Sequence, residues 1–198
     1  MENKKVQEMN PTESLQIIRS MIDTAKNKLA DDGFFIIFWG WLVFIAALVN
    51  YIGVSFHQNA SYYVWPVLMP LGGVVSIIYG RKQAKKEKVK TYIETYLGYS
   101  WTAFIIAMAI TLIFIPVHGV KITYFFLMLL YGMATLISGG LLNFKPLIIG
   151  SIFSFACAIV SIFVGVNEQF LCICVALLCS YIIPGHLLRS QYKSQVNV

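Results

Sequence analysis

Charged residues are scarce in this chain of 198 residues: they make up 12% of it, whereas hydrophobic residues make up 58%. A soluble domain carries about 25% charged residues, so the composition is that of a membrane protein. Six spans of about 20 residues each would fill about 120 positions. The remaining residues form tails and short loops, which leaves no room for a separate soluble catalytic domain.

Over long stretches the charges are missing altogether, and these gaps mark the predicted spans. No Asp, Glu, Lys or Arg occurs from Gly33 to Gly80, which is long enough for two spans joined by a polar turn. Further gaps complete a set of six transmembrane helices, predicted near residues 34–54, 62–80, 97–116, 122–143, 146–165 and 169–188. The predicted fold is therefore all-α and polytopic, with cytoplasmic segments at residues 1–33 and 189–198.

The distribution of positive charge predicts the orientation in the membrane. With six spans, fourteen of the fifteen Lys and Arg residues fall on one side, and only Lys121 falls on the other. Cytoplasmic loops retain positive charge, so we expect both termini in the cytoplasm. The first apolar run begins at Phe34, is as long as a span and precedes no small-residue cleavage site. It is therefore interpreted as a retained span and not as a signal peptide.

The predicted spans also lack Asp, Glu, Lys and Arg. Proton relays, voltage sensors and many ion-coupled carriers need such groups inside the membrane, so the absence argues against these functions. His57, His118 and Glu168 would lie on the outer side, without a spacing typical of metal ligands. We interpret them as polar loop residues, with a metal or acid–base site as the alternative. No catalytic residue, metal or cofactor is expected.

Four cysteines, at positions 157, 172, 174 and 179, fall inside the last two predicted spans. Residues two apart point to different sides of a helix, so Cys172 and Cys174 are unsuited to sharing one metal ion. Buried thiols behave as small apolar groups, and we expect all four to be reduced and structural. Small residues at four-residue spacing, such as Gly150, Ser154 and Ala158, predict close helix packing or, alternatively, a homo-oligomer face.

The polar residues that the chain does contain are concentrated in two segments. The first opens with a helix-capping pattern at Asn10, Pro11 and Glu13. It continues with apolar residues at alternating spacings of three and four, which we call the apolar stripe: Leu15, Ile18, Ile22, Ala25 and Leu29. The spacing predicts an amphipathic helix. We expect its stripe to contact a protein partner, the bundle or the membrane surface.

The second polar segment joins the second and third predicted spans. Six of the ten positions 81–90 are basic: Arg81, Lys82, Lys85, Lys86, Lys88 and Lys90. Such charges fix the orientation of a membrane protein, and they also attract anionic lipids. We expect these residues to contact anionic headgroups of the inner leaflet, and we expect no nucleic acid partner.

A candidate pocket lies within the spans. Pro66 and Pro70 predict a kink or break in the second span. Tyr131, at mid-depth in the fourth span, needs a hydrogen-bond partner there. Broken helices can line the substrate sites of transporters, so these residues are where a solute pocket would be sought.

Several blocks of the sequence resemble a group of uncharacterised bacterial inner-membrane proteins. The resemblance covers most of the chain and is carried by ESLQIIRSMIDTAKNKL, FFIIFWGWLVFIAALVNYI, VKTYIETYLGYSW and SYIIPGHLL. It implies a bacterial inner membrane and brings no known activity. From the residues themselves, we expect Trp39 and Trp41 to anchor and pack near the inner leaflet, and Pro184-Gly185 to end the sixth span.

The sequence favours a non-enzymatic integral membrane protein, because its polar residues lie mainly in the predicted cytoplasmic segments and not inside the spans. A regulatory, accessory or interaction subunit is the expected function. A permease or channel for a neutral or lipid-like solute is the alternative, followed by a membrane enzyme with an outer-face site.

The topology can be tested with reporter domains that are active only outside the cell. Fusions after Val198 and after Lys86 should be silent, because positive charge holds both positions inside. A fusion at Asn59 should be active. The reversed pattern would refute the predicted orientation.

Overall fold

The computed structural model describes residues 11–32, 34–57, 62–85 and 92–196 of the chain. These residues are almost entirely helical, and among them there is no β-strand. The helices are α1 (Pro11–Asp32), α2 (Phe34–Ser55), α3 (Val64–Ala84), α4 (Tyr92–Ile113), α5 (Ile115–Leu141), α6 (Lys145–Phe163), α7 (Val166–Leu177) and α8 (Ile183–Val196). A π-helical turn, Leu178–Ile182, joins α7 to α8. The predicted all-α fold is confirmed.

Six helical segments in the described part of the chain are long and apolar enough to cross a membrane. They are Phe35–Ser55, Val64–Lys82, Tyr92–Ile113, Ile115–Leu141, Lys145–Phe163 and Val166–Ser190. The shortest has 19 residues, which at 1.5 Å per residue spans about 28 Å and so matches a hydrocarbon core of about 30 Å. The chain is therefore a multi-pass membrane protein, and α1 is not one of its spans.

Helix α7 lies at the centre of the bundle. It packs against α2 on one side and α6 on the other, while α5 packs on α6 and α4 packs on α5. Phe170 of α7 is fully buried. Helix α3 is peripheral and packs mainly on α2, so its outward apolar side chains, such as Ile78 at 63% exposure, are left uncovered. Apolar faces of this extent suit lipid chains, which make no demand for hydrogen bonds.

Successive spans run antiparallel, so the bundle has two ends. We call the end where α2 begins the basic end, because the exposed side chains of Arg81 and Arg189 lie there. We call the other end, where α2 finishes, the far end. At the far end Asn167 Nδ2 donates a hydrogen bond of 3.2 Å to Ser55 Oγ and so links α7 to α2.

Small residues allow α6 to approach both of its neighbours closely. A Cβ atom on Gly150 would lie 2.7 Å from Cα of Ser180, so α6 touches the backbone of the π turn. One turn further, the hydroxyl of Ser154 donates to the backbone carbonyl of Met128 in α5 at 3.1 Å. Ala158, on the same face, is fully buried. This predicted packing face is therefore used inside the bundle.

The connection between the third and fourth spans is tighter than the sequence suggests. Helix α4 ends at Ile113 and α5 begins at Ile115. The helical course is interrupted inside α5 at Gly119, where φ is 78° and ψ is 166°. Glycine adopts such a conformation without steric cost, whereas other residues are strained in it. The interruption falls between the predicted spans, but helix forms on both sides of it.

A kink or break was expected at Pro66 and Pro70 in the second span, and no break occurs there. Helix α3 continues through Pro70. The expectation that Pro184-Gly185 ends the sixth span is wrong, because α8 continues past both residues to Val196. The N–H of Ile183 bonds to the carbonyl of Leu178, five residues earlier, which widens the turn. A wider turn makes room for the proline ring, which in a regular helix would clash with the carbonyl four residues before it.

The contact at Gly150 makes a prediction about stability in detergent. Gly150→Ala should destabilise the bundle by about 1–3 kcal/mol, because the new methyl group would press on the π-turn backbone. Gly73→Ala is the matched control, since no atom lies within 4 Å of a Cβ atom built there. It should be neutral or slightly stabilising, because alanine favours the helix. Thermal unfolding of both variants in micelles measures the difference, and equal midpoints would contradict the role of Gly150.

Candidate functional site

The apolar stripe lies on a helix, as predicted, but the bundle leaves its first part uncovered. Leu15 is 60% exposed and Ile18 is 52% exposed, while Ile22 is half-buried. The side chains of Ala25 and Leu29 lie outside the described part of the structure. Helix α1 packs on α8 and α4. These contacts fix α1 to the bundle without covering Leu15 and Ile18, which are available to another surface.

Two more apolar side chains widen this exposed face. Ile17 is 42% exposed and Met21 is 39% exposed. They stand beside the stripe on the same side of α1 when 3.6 residues are allowed per turn. The exposed apolar surface of α1 is therefore broader than a spacing of three and four residues suggests.

The basic segment begins at the last turn of α3. Arg81, Lys82 and Lys85 are exposed there, and positive charge at the C-terminus of a helix is favourable because the peptide dipoles place partial negative charge at that end. The other three predicted headgroup contacts, Lys86, Lys88 and Lys90, lie outside the described residues. Three of the six predicted positions are thus exposed at the basic end.

Exposed tyrosines mark the same end of the bundle. Tyr92, Tyr96 and Tyr99 follow one another along the first turns of α4 and are all exposed. The hydroxyl groups of Tyr92 and Tyr96 are 2.5 Å apart and share a hydrogen bond. Tyrosine favours the depth of the lipid headgroups, where its ring is apolar and its hydroxyl is wet. These residues indicate where the hydrocarbon ends.

The predicted pocket is not assembled. Pro66 and Pro70 are exposed on the outward face of α3, whereas Tyr131 packs inside the bundle between Phe104 and Tyr181, with ring centroids 5.0 and 5.6 Å away. Helix α3 meets the core with a different face, which carries Trp65 and Met69. The two parts of the predicted pocket thus belong to different sides of different helices.

Tyr131 belongs instead to an aromatic cluster that fills the interior. The cluster consists of four rings, each in contact with two others: Trp101, Phe104, Tyr131 and Tyr181. Their centroids are 5.0 to 6.3 Å apart, which is contact distance for aromatic rings. The hydroxyl of Tyr181 lies close to Thr135 but outside hydrogen-bond geometry and has no partner among the described residues.

The polar residues of the far end do not form a metal site. No group of three or more His, Cys, Asp or Glu side chains in the described ranges could hold a metal ion. His118 lies between two phenylalanine rings, with centroid separations of 6.3 Å to Phe114 and 6.1 Å to Phe126. His57 and Glu168 are exposed. The three residues therefore do not converge.

All four cysteines are free thiols in the structure. Cys174 is buried, with Sγ 3.9 Å from the backbone carbonyl of Phe44 in α2, and Cys172 is only half-buried. The structure thus places Cys174 in the α2–α7 contact, in agreement with a packing role.

Two buried amides were not recognised in the sequence. Gln169 is fully buried, and its Nε2 donates to the carbonyl of Lys121 at 3.1 Å and to that of Ser161 at 2.8 Å. It therefore ties the starts of α5 and α7 to the end of α6. Asn50 in α2 is also fully buried, but its Nδ2 bonds only within its own helix, to Ala46 at 3.1 Å. The amide oxygens of both residues, Asn50 Oδ1 and Gln169 Oε1, have no partner among the described residues. The sequence signal that could have identified Asn50 is an amide side chain inside an apolar run that lacks charges.

The two amides should respond differently to replacement by leucine. Gln169→Leu should destabilise the bundle by about 1–2 kcal/mol, because it removes two hydrogen bonds between helices and leaves buried carbonyls unpaired. Asn50→Leu should cost less or stabilise, because Asn50 makes no hydrogen bond to another helix, and both changes remove a buried acceptor that has no partner. Unfolding in micelles measures both, and a larger loss for Asn50→Leu would contradict the assignment.

Comparisons with protein-family models, with curated proteins and with solved structures gave no match to this chain.

Proposed function

We propose that the chain is a non-enzymatic protein of a bacterial inner membrane that acts through its cytoplasmic surface, as a regulatory, accessory or interaction subunit. The observation that carries this proposal is the uncovered apolar face of α1. Leu15 and Ile18 are more than half exposed although α1 is attached to the bundle. Apolar side chains held in this way are costly in water and mark an interaction surface.

The orientation in this proposal places the basic end in the cytoplasm. Arg81, Lys82, Lys85 and Arg189 are exposed at that end, whereas Lys121 is at the far end. Because cytoplasmic segments retain Lys and Arg, this charge difference supports an inward basic end and inward termini. Helix α1, which leads into the start of α2, then lies on the cytoplasmic side.

The interior of the bundle supports an interaction role more than transport. The alternative of a permease relied on Pro66, Pro70 and Tyr131, which the structure separates. At the level of Tyr131 the interior is occupied by the aromatic cluster. At the far end, the Nε2 group of Gln169 is engaged in holding helix ends together. The exposed surface of α1 is the stronger candidate for function.

A photoreactive amino acid on α1 tests the proposal in native membranes. A benzophenone side chain at Leu15 or Ile18 should form specific adducts, because these positions face the contacting surface. The same group at Gln16 or Ser20, on the polar side of α1, is the matched control and should form few. Adducts are identified by mass spectrometry. Equal and weak labelling at all four positions would show that α1 makes no apolar contact, and the proposal would fail.

A further inference from the structure

The position of α1 relative to the bundle fixes its depth. Helix α1 leads directly into α2 and packs on α4 and α8. It can reach α4 only at the basic end, where α4 begins. The first turns of α4 carry Tyr92, Tyr96 and Tyr99, which are exposed and favour the headgroup layer. The part of α1 that packs on α4 therefore lies at about the level where the hydrocarbon of one leaflet meets its headgroups.

The shape of the apolar face indicates what covers it. With Ile17 and Met21 included, the apolar positions of α1 span roughly 160° of the helix at 100° per residue. A coiled-coil contact needs only the narrow line of two positions per heptad, whereas a wider apolar face is typical of a helix that lies in a membrane interface. The breadth of the face therefore favours a lipid surface over one partner helix.

The charged positions of α1 are arranged as such a helix requires. At 100° per residue, Arg19 and Lys26 fall within about 40° of one edge of the apolar face, and Lys28 falls just inside the other edge. Asp23 falls on the opposite, polar side, whereas Glu13 falls about 40° beyond the edge that Ile17 forms. Basic side chains at the edges can extend along the apolar surface and place their charges at lipid phosphates, while acidic groups stay in water. Three acidic positions depart from this pattern: Glu13 and Asp31 fall near one edge, and Asp32 falls within the apolar face.

We infer that α1 lies in the headgroup region of an anionic leaflet, with Leu15, Ile17, Ile18 and Met21 against the acyl chains and its basic residues at lipid phosphates. This inference rests on the proposed function and names the surface that α1 contacts. The exposed Arg81, Lys82 and Lys85 at the end of α3 add to the same positive layer at the basic end. Helix α1 and the end of α3 together form one lipid-binding surface.

The experiment uses the purified full-length protein in nanodiscs, where no other protein is present. The photoreactive group is placed at Ile18 or, as the control, at Gln16. In nanodiscs that contain phosphatidylglycerol, position 18 should yield several-fold more lipid adduct than position 16. Nanodiscs of phosphatidylcholine alone give the reference for the uncharged surface.

Charge removal tests the anionic part of the inference. The triple variant Arg19→Gln, Lys26→Gln and Lys28→Gln should lower the phosphatidylglycerol adduct at position 18 several-fold at low salt, because each basic residue near an anionic surface favours binding by about fivefold before screening. Asp23→Asn, on the polar side by helical phase, is the matched charge control and should leave the adduct unchanged or raise it.

Two results would overturn the inference. The first is equal lipid adduct at positions 16 and 18, which would mean that the apolar face does not enter the leaflet. The second is an adduct at position 18 only to a second copy of the chain. If native membranes give a protein adduct at Leu15 or Ile18 while the nanodiscs give no lipid adduct, the lipid inference fails and the proposed interaction function stands.

Discussion

The π turn between α7 and α8 is held between two glycines, and the arrangement of the bundle depends on this contact. Gly150 brings α6 against the backbone of Ser180. From the other side, a Cβ atom on Gly40 of α2 would lie 3.0 Å from Cβ of Tyr181. Helices α2 and α6 thus both pack closely against the π turn. In lipid, where helices gain little from burying apolar surface, this kind of close packing is a main source of association.

Pro184 connects this contact to the rest of the chain. Because proline removes one N–H and crowds the preceding turn, the helix widens at Leu178–Ile182 instead of ending. The widened turn presents Tyr181 to Trp101 and Tyr131, so that α4 and α5 are joined to the centre through aromatic rings. Packing against the start of α2 continues beyond the turn: a Cβ atom on Gly185 would lie 3.0 Å from Ile37.

The membrane fold could be predicted because a span has a strong and local signal. The first span was expected at residues 34–54, and α2 is Phe34–Ser55. What could not be predicted depends on neighbours. The pattern around Pro184 is that of a helix end, and only the π turn and its glycine contacts make continuation possible. Likewise, the sequence shows which residues share a face of each helix. It does not show which face points inward, so it could not predict that Pro66 is exposed while Tyr131 packs against the core.

The same limit applies to the candidate surfaces. The stripe on α1 follows from spacing alone, and the helix formed as predicted. Spacing does not predict how much of the stripe the bundle covers. The exposure of Leu15 depends on the positions of α8 and α4. The sequence puts Gln169 at the start of the sixth predicted span but does not indicate a role for it. Its partners, the carbonyls of Lys121 and Ser161, are brought to it by two other helices.

Hydrogen bonding inside the spans bears on where function can reside. Hydroxyl groups there often bond to carbonyls of their own helix, as Ser138 does to Ala134 and Ser180 to Ala176. Such local bonds satisfy these hydroxyl groups, which could otherwise replace the hydration of a solute. Among the described residues, seven buried side-chain atoms have no partner: Asn50 Oδ1, Trp65 Nε1, Ser100 Oγ, His118 Nε2, Asn167 Oδ1, Gln169 Oε1 and the Tyr181 hydroxyl. The Cβ atom of Tyr181 packs against Gly40, which is ten residues, or about 15 Å, from Asn50 along α2. A binding site needs convergent polar groups, and this separation argues against a site that joins Asn50 to Tyr181.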